Sequence, residues 1–129
     1  MEYSKIKAVL FVKDLQKVTA FYTDALGMKC NFSDDEHSVL NCHGFNLIVH
    51  LIPKQIADGI TIDSPPKRRV QTVVRLDYPV HNIDDSRRHA RLLGGNIDEA
   101  PLEWAKRDSN FFFGYDPEGN QFDVSELTC

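Results

Sequence analysis

The stretch Ile6-Lys-Ala-Val-Leu-Phe-Val-Lys-Asp-Leu-Gln-Lys-Val-Thr-Ala-Phe-Tyr-Thr-Asp-Ala-Leu-Gly27 changes period halfway along. From Ile6 to Val12 it reads as a strand. From Leu15 the apolar residues Leu15, Val18, Phe21, Tyr22, Ala25 and Leu26 recur at close to 3.6 residues, the spacing of a helix with one buried face. Asp14 stands where a carboxylate can cap the first turn, and Gly27 where a left-handed residue ends the last. Three short strand patterns follow: Met28–Phe32, His37–Asn41 and Phe45–Ile52, the last two joined by Cys42-His43-Gly44. The unit is β-α-β-β-β.

The same order returns after a link, residues 53–69, that carries Asp58-Gly59, Pro65-Pro66 and a possible extended piece at Ile60–Ile62. Val70–Leu76 reads as a strand, Ile83–Leu93 as a helix closed by Gly94-Gly95, and Asn96–Asp98 as a weaker strand pattern. Phe111–Tyr115 and Gln121–Glu126 are strands joined by Asp116-Pro117-Glu118-Gly119-Asn120, where Pro117 presets φ and Gly119 can take a positive φ. Val12 matches Leu76, Gly27 matches Gly94 and His50 matches Asp123. The drifting offset is read as small insertions such as Tyr78-Pro79-Val80. The expectation is one α+β domain over residues 1–129, made of two tandem modules, 6–52 and 70–127, joined by the linker 53–69.

At 129 residues the chain is long enough for one continuous core. Hydrophobic residues make up 42% and charged residues 26%, a globular balance. The net charge of −4 argues against a nucleic-acid partner, and the basic run Lys67-Arg68-Arg69 reads as solvated link. No apolar run approaches the ~20 residues of a membrane span. The opening MEYSKIK lacks the apolar core of a signal peptide. Three cysteines, Cys30, Cys42 and Cys129, without metal-type spacing read as reduced thiols, and a cytoplasmic location is expected.

Alternation splits each strand into two faces. Ala8, Leu10 and Val12 face one way, with Lys7, Val9 and Phe11 opposite; Leu47, Val49 and Leu51 oppose Ile48 and His50. In the second half, Val74 and Leu76 oppose Gln71, Val73 and Arg75, while Phe122 and Val124 oppose Asp123. One face of each strand suits a helix. The other mixes apolar residues with a few polar anchors, as a concave small-molecule site does. Phe111, Phe113 and Tyr115 place aromatic rings along one strand face, and Trp104 stands in the irregular stretch before it. The expected pocket is therefore Lys7, Val9, Phe11, Ile48, His50, Gln71, Val73, Arg75, Trp104, Phe111, Phe113 and Asp123. Arg75 suits an anion through its planar fork, with a structural ion pair to Asp123 as the competing use. His37, Cys42 and His43 read as exposed turn residues, and His81 and His89 as surface residues.

These motifs, Val12-Lys13-Asp14-Leu15, Phe21-Tyr22, Leu26-Gly27 and Asp116-Pro117-Glu118-Gly119-Asn120 before Asp123-Val124, resemble the vicinal oxygen chelate superfamily. It includes glyoxalases, ring-cleaving dioxygenases, and fosfomycin- and bleomycin-resistance proteins. The resemblance implies two βαβββ modules forming a cupped mixed sheet. In the family's metalloenzymes a divalent ion sits in the cup, held from the first and last strands of the modules. Carried over, those positions fall at Lys7, Gln71, His50 and Asp123. Only His50 among them is a strong ligand, and protonated Lys7 is none. The expectation is a metal-free protein that binds a small organic molecule, an aromatic or amphipathic anion, as a homodimer with no nucleic-acid or membrane partner, Lys7 pairing with Asp123. One alternative is a lyase, isomerase or dioxygenase-like enzyme with His50 as acid–base catalyst and Zn, Ni, Mn or Fe at His50, Gln71 and Asp123. The other is an interaction module without a ligand.

Overall fold

A computed structural model describes residues 6–72, 74–99 and 111–127. The first module runs β1 (Lys7–Val12), α1 (Leu15–Asp24), β2 (Lys29–Ser33), β3 (His37–Cys42) and β4 (Phe45–Leu51). Its sheet has the order β1-β4-β3-β2, with β1 parallel to β4 and the remaining pairs antiparallel. After a one-turn helix, α2 (Lys54–Ala57), the second module runs β5 (Asp77–Val80), α3 (Ile83–Leu92), β6 (Asn96–Ile97), β7 (Phe111–Tyr115) and β8 (Gln121–Glu126). Its sheet, β5-β8-β7-β6, repeats the first. This is the tandem βαβββ fold expected from the sequence. Among the described residues no helix is long and apolar enough to cross a membrane.

Local chemistry sets the element ends. Asp14 accepts from Lys17 N at 3.1 Å, capping α1, and Asn82 does the same for α3 from Asp85 N at 2.9 Å. Gly27, at φ 72°, turns the chain off α1. His43 and Gly44, at φ 50° and 86°, both take the left-handed region, as a two-residue hairpin turn requires.

One expectation fails. No described residue of 70–76 lies in a strand; the first strand of the second module is Asp77–Val80, of which Tyr78-Pro79-Val80 reads in the sequence as an insertion. The reason is Pro79. Proline is excluded from central strands because it lacks an N–H, but β5 lies at the sheet edge, where its outer side has no strand to bond. Val70 and Val74, apolar but 74% and 72% exposed, do not pack inward. With β5 placed, one offset holds from the first strand through the helix. Val12 and Val80, Asp14 and Asn82, Leu15 and Ile83, and Asp24 and Leu92 each lie 68 residues apart. The bond from Ile52 N to Val12 O, 2.8 Å, recurs from Leu127 N to Val80 O at the same length.

The two modules pack through their helix-bearing faces into a single core. Val12, Leu15, Val18, Phe21, Leu40, Leu47 and Val49 from the first join Tyr78, Val80, Ile83, Ile97, Phe122 and Val124 from the second. Tyr22 sits at the seam, with Tyr78 at 5.9 Å and Phe122 at 6.1 Å between ring centroids. The turn between β7 and β8 fastens it. Asp116 accepts from Tyr22 OH at 2.9 Å, from Glu118 N at 2.8 Å and from Asn120. Glu118 accepts Lys13 N at 2.8 Å and Asp14 N at 2.7 Å. Gly119, at φ 82°, lets the turn pass against Lys67 O, which a Cβ would strike.

Burial raises the Asp116 carboxyl pKa despite the hydrogen bonds, from Asn120, Glu118 and Tyr22, that lower it. A folded value above the unfolded one means that Asp116 contributes fully below the unfolded carboxyl range, near pH ~4, and loses that contribution as pH rises through its folded value. The Tyr22 hydroxyl offsets part of this loss by favouring the ionised form. We therefore expect Tyr22→Phe to cost about 2 kcal/mol in urea unfolding, with a larger deficit at pH 8 than at pH 4. An equal deficit at both would remove the ionised Asp116 from the account.

Candidate functional site

Because the helices and inner sheet faces share one core, the outer face of each sheet is turned away from the other. On the first sheet, register places Val9 opposite Ile48, Phe11 opposite His50, His37 opposite His50 and Val39 opposite Ile48. These residues share the outer face with Lys7. Val9, Phe11 and Phe32 are 49%, 55% and 51% exposed, a concentration of apolar surface that a free sheet face rarely carries. Lys7 is exposed at the start of β1.

The second outer face is different. Asp77 pairs with Asp123, and Phe113 lies opposite Asp123 on the other side. Phe113 and Asp123 are buried. Over them lies Arg75, its guanidinium carbon 3.8 Å from the Phe113 ring centroid and its Nε 3.0 Å from Asp123 Oδ1. The strand ladder sets this up: Asp123 N donates to Leu76 O at 2.8 Å, holding the chain just before β5 against β8. Tyr115, further along β7, carries Arg68 at 5.0 Å, and Arg68 is paired with Asp98 at 2.6 Å.

The expected pocket residues thus divide between two faces. Lys7, Val9, Phe11, Ile48 and His50 gather on the first; Arg75, Phe113 and Asp123 gather on the second. Gln71 is exposed in the extended segment before β5. Val73, Trp104 and the side chain of Phe111 lie outside the described residues. The expected Lys7–Asp123 pair is not formed: the two are on outer faces of different sheets, and Asp123 faces Arg75 instead. His50 and Asp123 are not equivalent positions either. The counterpart of His50 is Ser125, opposite Pro79 as His50 is opposite Phe11.

The corrected register also moves a candidate metal position. Lys7 lies five residues before Val12; five before Val80 is Arg75, not Gln71. The first-strand positions of both modules therefore hold cations, and Asp123 already faces one of them. This donor set does not fit a divalent ion.

His37 and Asp34 were missed. His37 is no turn residue: it lies on β3, stacked on His50 at 5.8 Å and 18° between rings. Counting outward from the His43-Gly44 turn pairs Cys42 with Phe45 and, five steps on, His37 with His50, so the signal was present. Cys42 is half-buried on β3, and burial raises its thiol pKa, which suits packing rather than nucleophilic chemistry. A cleft of about 900 Å³ opens elsewhere, at the start of α1, among Lys13, Lys17, Asp35, Asp63, Arg91 and Glu118. Its walls combine these charges with Leu15, Ile62, Pro65, Pro66 and Pro117, and none of the expected pocket residues lines it.

The chain belongs to the glyoxalase-like domain family, matched over residues 7–125. Solved structures give the same fold at low identity. The fosfomycin resistance protein FosX from Listeria monocytogenes, complexed with Mn(II) and sulfate, is 18% identical over 99% of this chain and 93% of that chain, with a TM-score of 0.67. A glyoxalase/bleomycin resistance protein from Albidiferax ferrireducens is 17% identical over 97% of this chain and 100% of that chain, at 0.65. A glyoxalase-related enzyme from Fulvimarina pelagi is 18% identical over 96% and 88%, at 0.64. No curated protein matches the chain significantly. The family match over residues 7–125, with the shared fold, places it in the vicinal oxygen chelate superfamily.

Removing Arg75 takes away the guanidinium that lies 3.0 Å from the buried Asp123 carboxylate. Arg75→Ala is expected to lower stability by about 3 kcal/mol, most of it recovered in Arg75→Ala/Asp123→Asn. Additive losses in the double-mutant cycle would mean that the two side chains do not act as a pair.

Proposed function

We propose that this protein binds a small organic anion, without a divalent metal, in a cup completed where the outer sheet faces of two copies meet. The observation that carries this reading is the Arg75 guanidinium, stacked on Phe113 and 3.0 Å from Asp123. A resident cation there opposes a second one: two unit charges ~4 Å apart repel by about 4 kcal/mol at an effective dielectric of 20, and a dication doubles this. The same group suits an oxyanion. Its Nε faces Asp123, and its two terminal amino groups have no hydrogen-bond partner among the described residues. Such a fork matches a carboxylate or phosphonate bidentately. One FosX structure carries Mn(II) with 1S,2S-dihydroxypropylphosphonic acid, an organic anion, so the fold accommodates this ligand class. With protein cations at both first-strand positions, sequestration is favoured over metal-assisted chemistry.

The need for a second copy follows from the back-to-back packing. Among the described residues neither outer face meets the other sheet, and the first exposes Val9, Phe11 and Phe32. A symmetric pair buries that surface twice. Sedimentation equilibrium at micromolar concentration is expected to give a dimer; a monomer overturns the shared cup.

The metal-free reading is tested by melting in Mn(II), Ni(II) and Zn(II). Wild type is expected to show no shift, and Arg75→His, alone or with Lys7→His, to gain a metal-dependent rise. Wild type that retains a stoichiometric ion when purified without chelator, or binds one as tightly as the variants, overturns it.

A further inference from the structure

Four rings form a ridge across the first outer face: Phe32 on β2, His37 on β3, His50 on β4 and Phe11 on β1. Neighbouring centroids are 5.2, 5.8 and 5.5 Å apart. The central imidazoles lie nearly parallel, at 18°. Each has one nitrogen committed. His37 Nδ1 is 3.1 Å from Asp34 Oδ1, and His50 Nδ1 is 2.8 Å from the Leu51 carbonyl oxygen. Neither a carboxylate nor a carbonyl can donate, so both Nδ1 atoms carry the hydrogen. Asp34 is suited to hold His37, because the backbone N–H groups of Glu36 and His37, at 2.8 and 2.9 Å, keep its carboxyl pKa below the usual value. In the neutral ring Nε2 is then the acceptor, and on neither ring does it have a partner among the described residues.

Two acceptors of one kind, held side by side in an apolar face, complement the donor on the other sheet. Arg75 offers N–H groups and a charge; His37 and His50 offer lone pairs. We infer that the histidine pair accepts the hydroxyl of the ligand, so that the preferred anion is a hydroxylated aromatic acid whose O–H donates to Nε2 and whose carboxylate meets Arg75 of a second copy. A phenolic hydroxyl is a good donor to imidazole, and its ring can lie against Phe11, next to His50 in the row. This rests on the anion-binding reading above and adds the group that selects among anions.

The test compares benzoate with 4-hydroxybenzoate, and 2-naphthoate with 6-hydroxy-2-naphthoate, by calorimetric titration of the full chain. Wild type is expected to bind each hydroxylated acid about tenfold more tightly than its parent, one charge-independent hydrogen bond's worth. His37→Phe/His50→Phe keeps four rings in the row, and is expected to bind both acids of a pair equally, at the parent's affinity. Equal binding by wild type, or discrimination that survives in the double variant, overturns the hydroxyl site while leaving the anion reading in place. No binding of any acid overturns both. Long-range proton–nitrogen NMR at pH 8 is expected to show both imidazoles as the Nδ1–H tautomer; Nε2–H on either ring removes the acceptor pair, whatever the ligands do.

Discussion

Two carboxylates in one turn decide how the molecule presents itself. Asp116 and Glu118 reach from the end of the chain to its beginning, the first to the Tyr22 hydroxyl and the second to the backbone of Lys13 and Asp14. Each satisfies donors that burial would otherwise orphan, and each bond crosses from one module to the other. Charged acceptors make these bonds stronger than neutral ones, so the relative placement of the modules is well determined. Everything on the outer faces follows. With the helices locked between the sheets, the faces that hold His50 and Arg75 have no choice but to point outward.

The duplicated frame is strict where it is buried and free where it is not. Through the first strand, its following cap and the helix, the two modules keep one offset, because each position fills the same place in a shared core. The outer residues of the paired strands have diverged. Phe11, Ile48 and His50 on one sheet stand where Pro79, Asp123 and Ser125 stand on the other. One ancestral surface has thereby become two chemically unlike walls: one of imidazole and phenyl rings, the other of a guanidinium over a carboxylate. A homodimer can then surround a ligand with different groups on its two sides, although both come from one gene product.

What could be read from the sequence was what depends on near neighbours. The Asp14 cap, the Gly27 reversal and the 3.6-residue period of α1 are local, and the structure has them. So was the positive φ at Gly119, although its passage against Lys67 O was not. The errors came where partners are distant. Val70–Leu76 has a strand's composition, but composition says nothing of whether β8 will pair with it or with the four residues after it. Pro79 argued against the true strand until the edge position was known. From that misplacement came Gln71 in place of Arg75 as the counterpart of Lys7, and with it the supposed partner of Asp123. Alternation did identify His50 and Asp123 as outer-face residues, because facing depends only on period; Arg75 reaches its face from outside any strand. It was register, not facing, that required the fold.

Pro79 also makes the two parallel-paired edge strands, β1 and β5, unequal as hazards. An uncovered strand edge can template another chain, and short apolar edge segments are the usual seeds of ordered aggregation. On β5 the missing N–H interrupts any ladder that an incoming strand could build. The β1 edge, Lys7-Ala-Val-Leu-Phe-Val12, has no such gap. Its protection is electrostatic: Lys7 opens the strand and Lys13 follows it, so stacked copies would bring like charges into line every ~4.8 Å. That protection weakens as salt screens the charges. High ionic strength therefore weakens the guard on this strand, and a neutral residue at Lys13 would weaken it further.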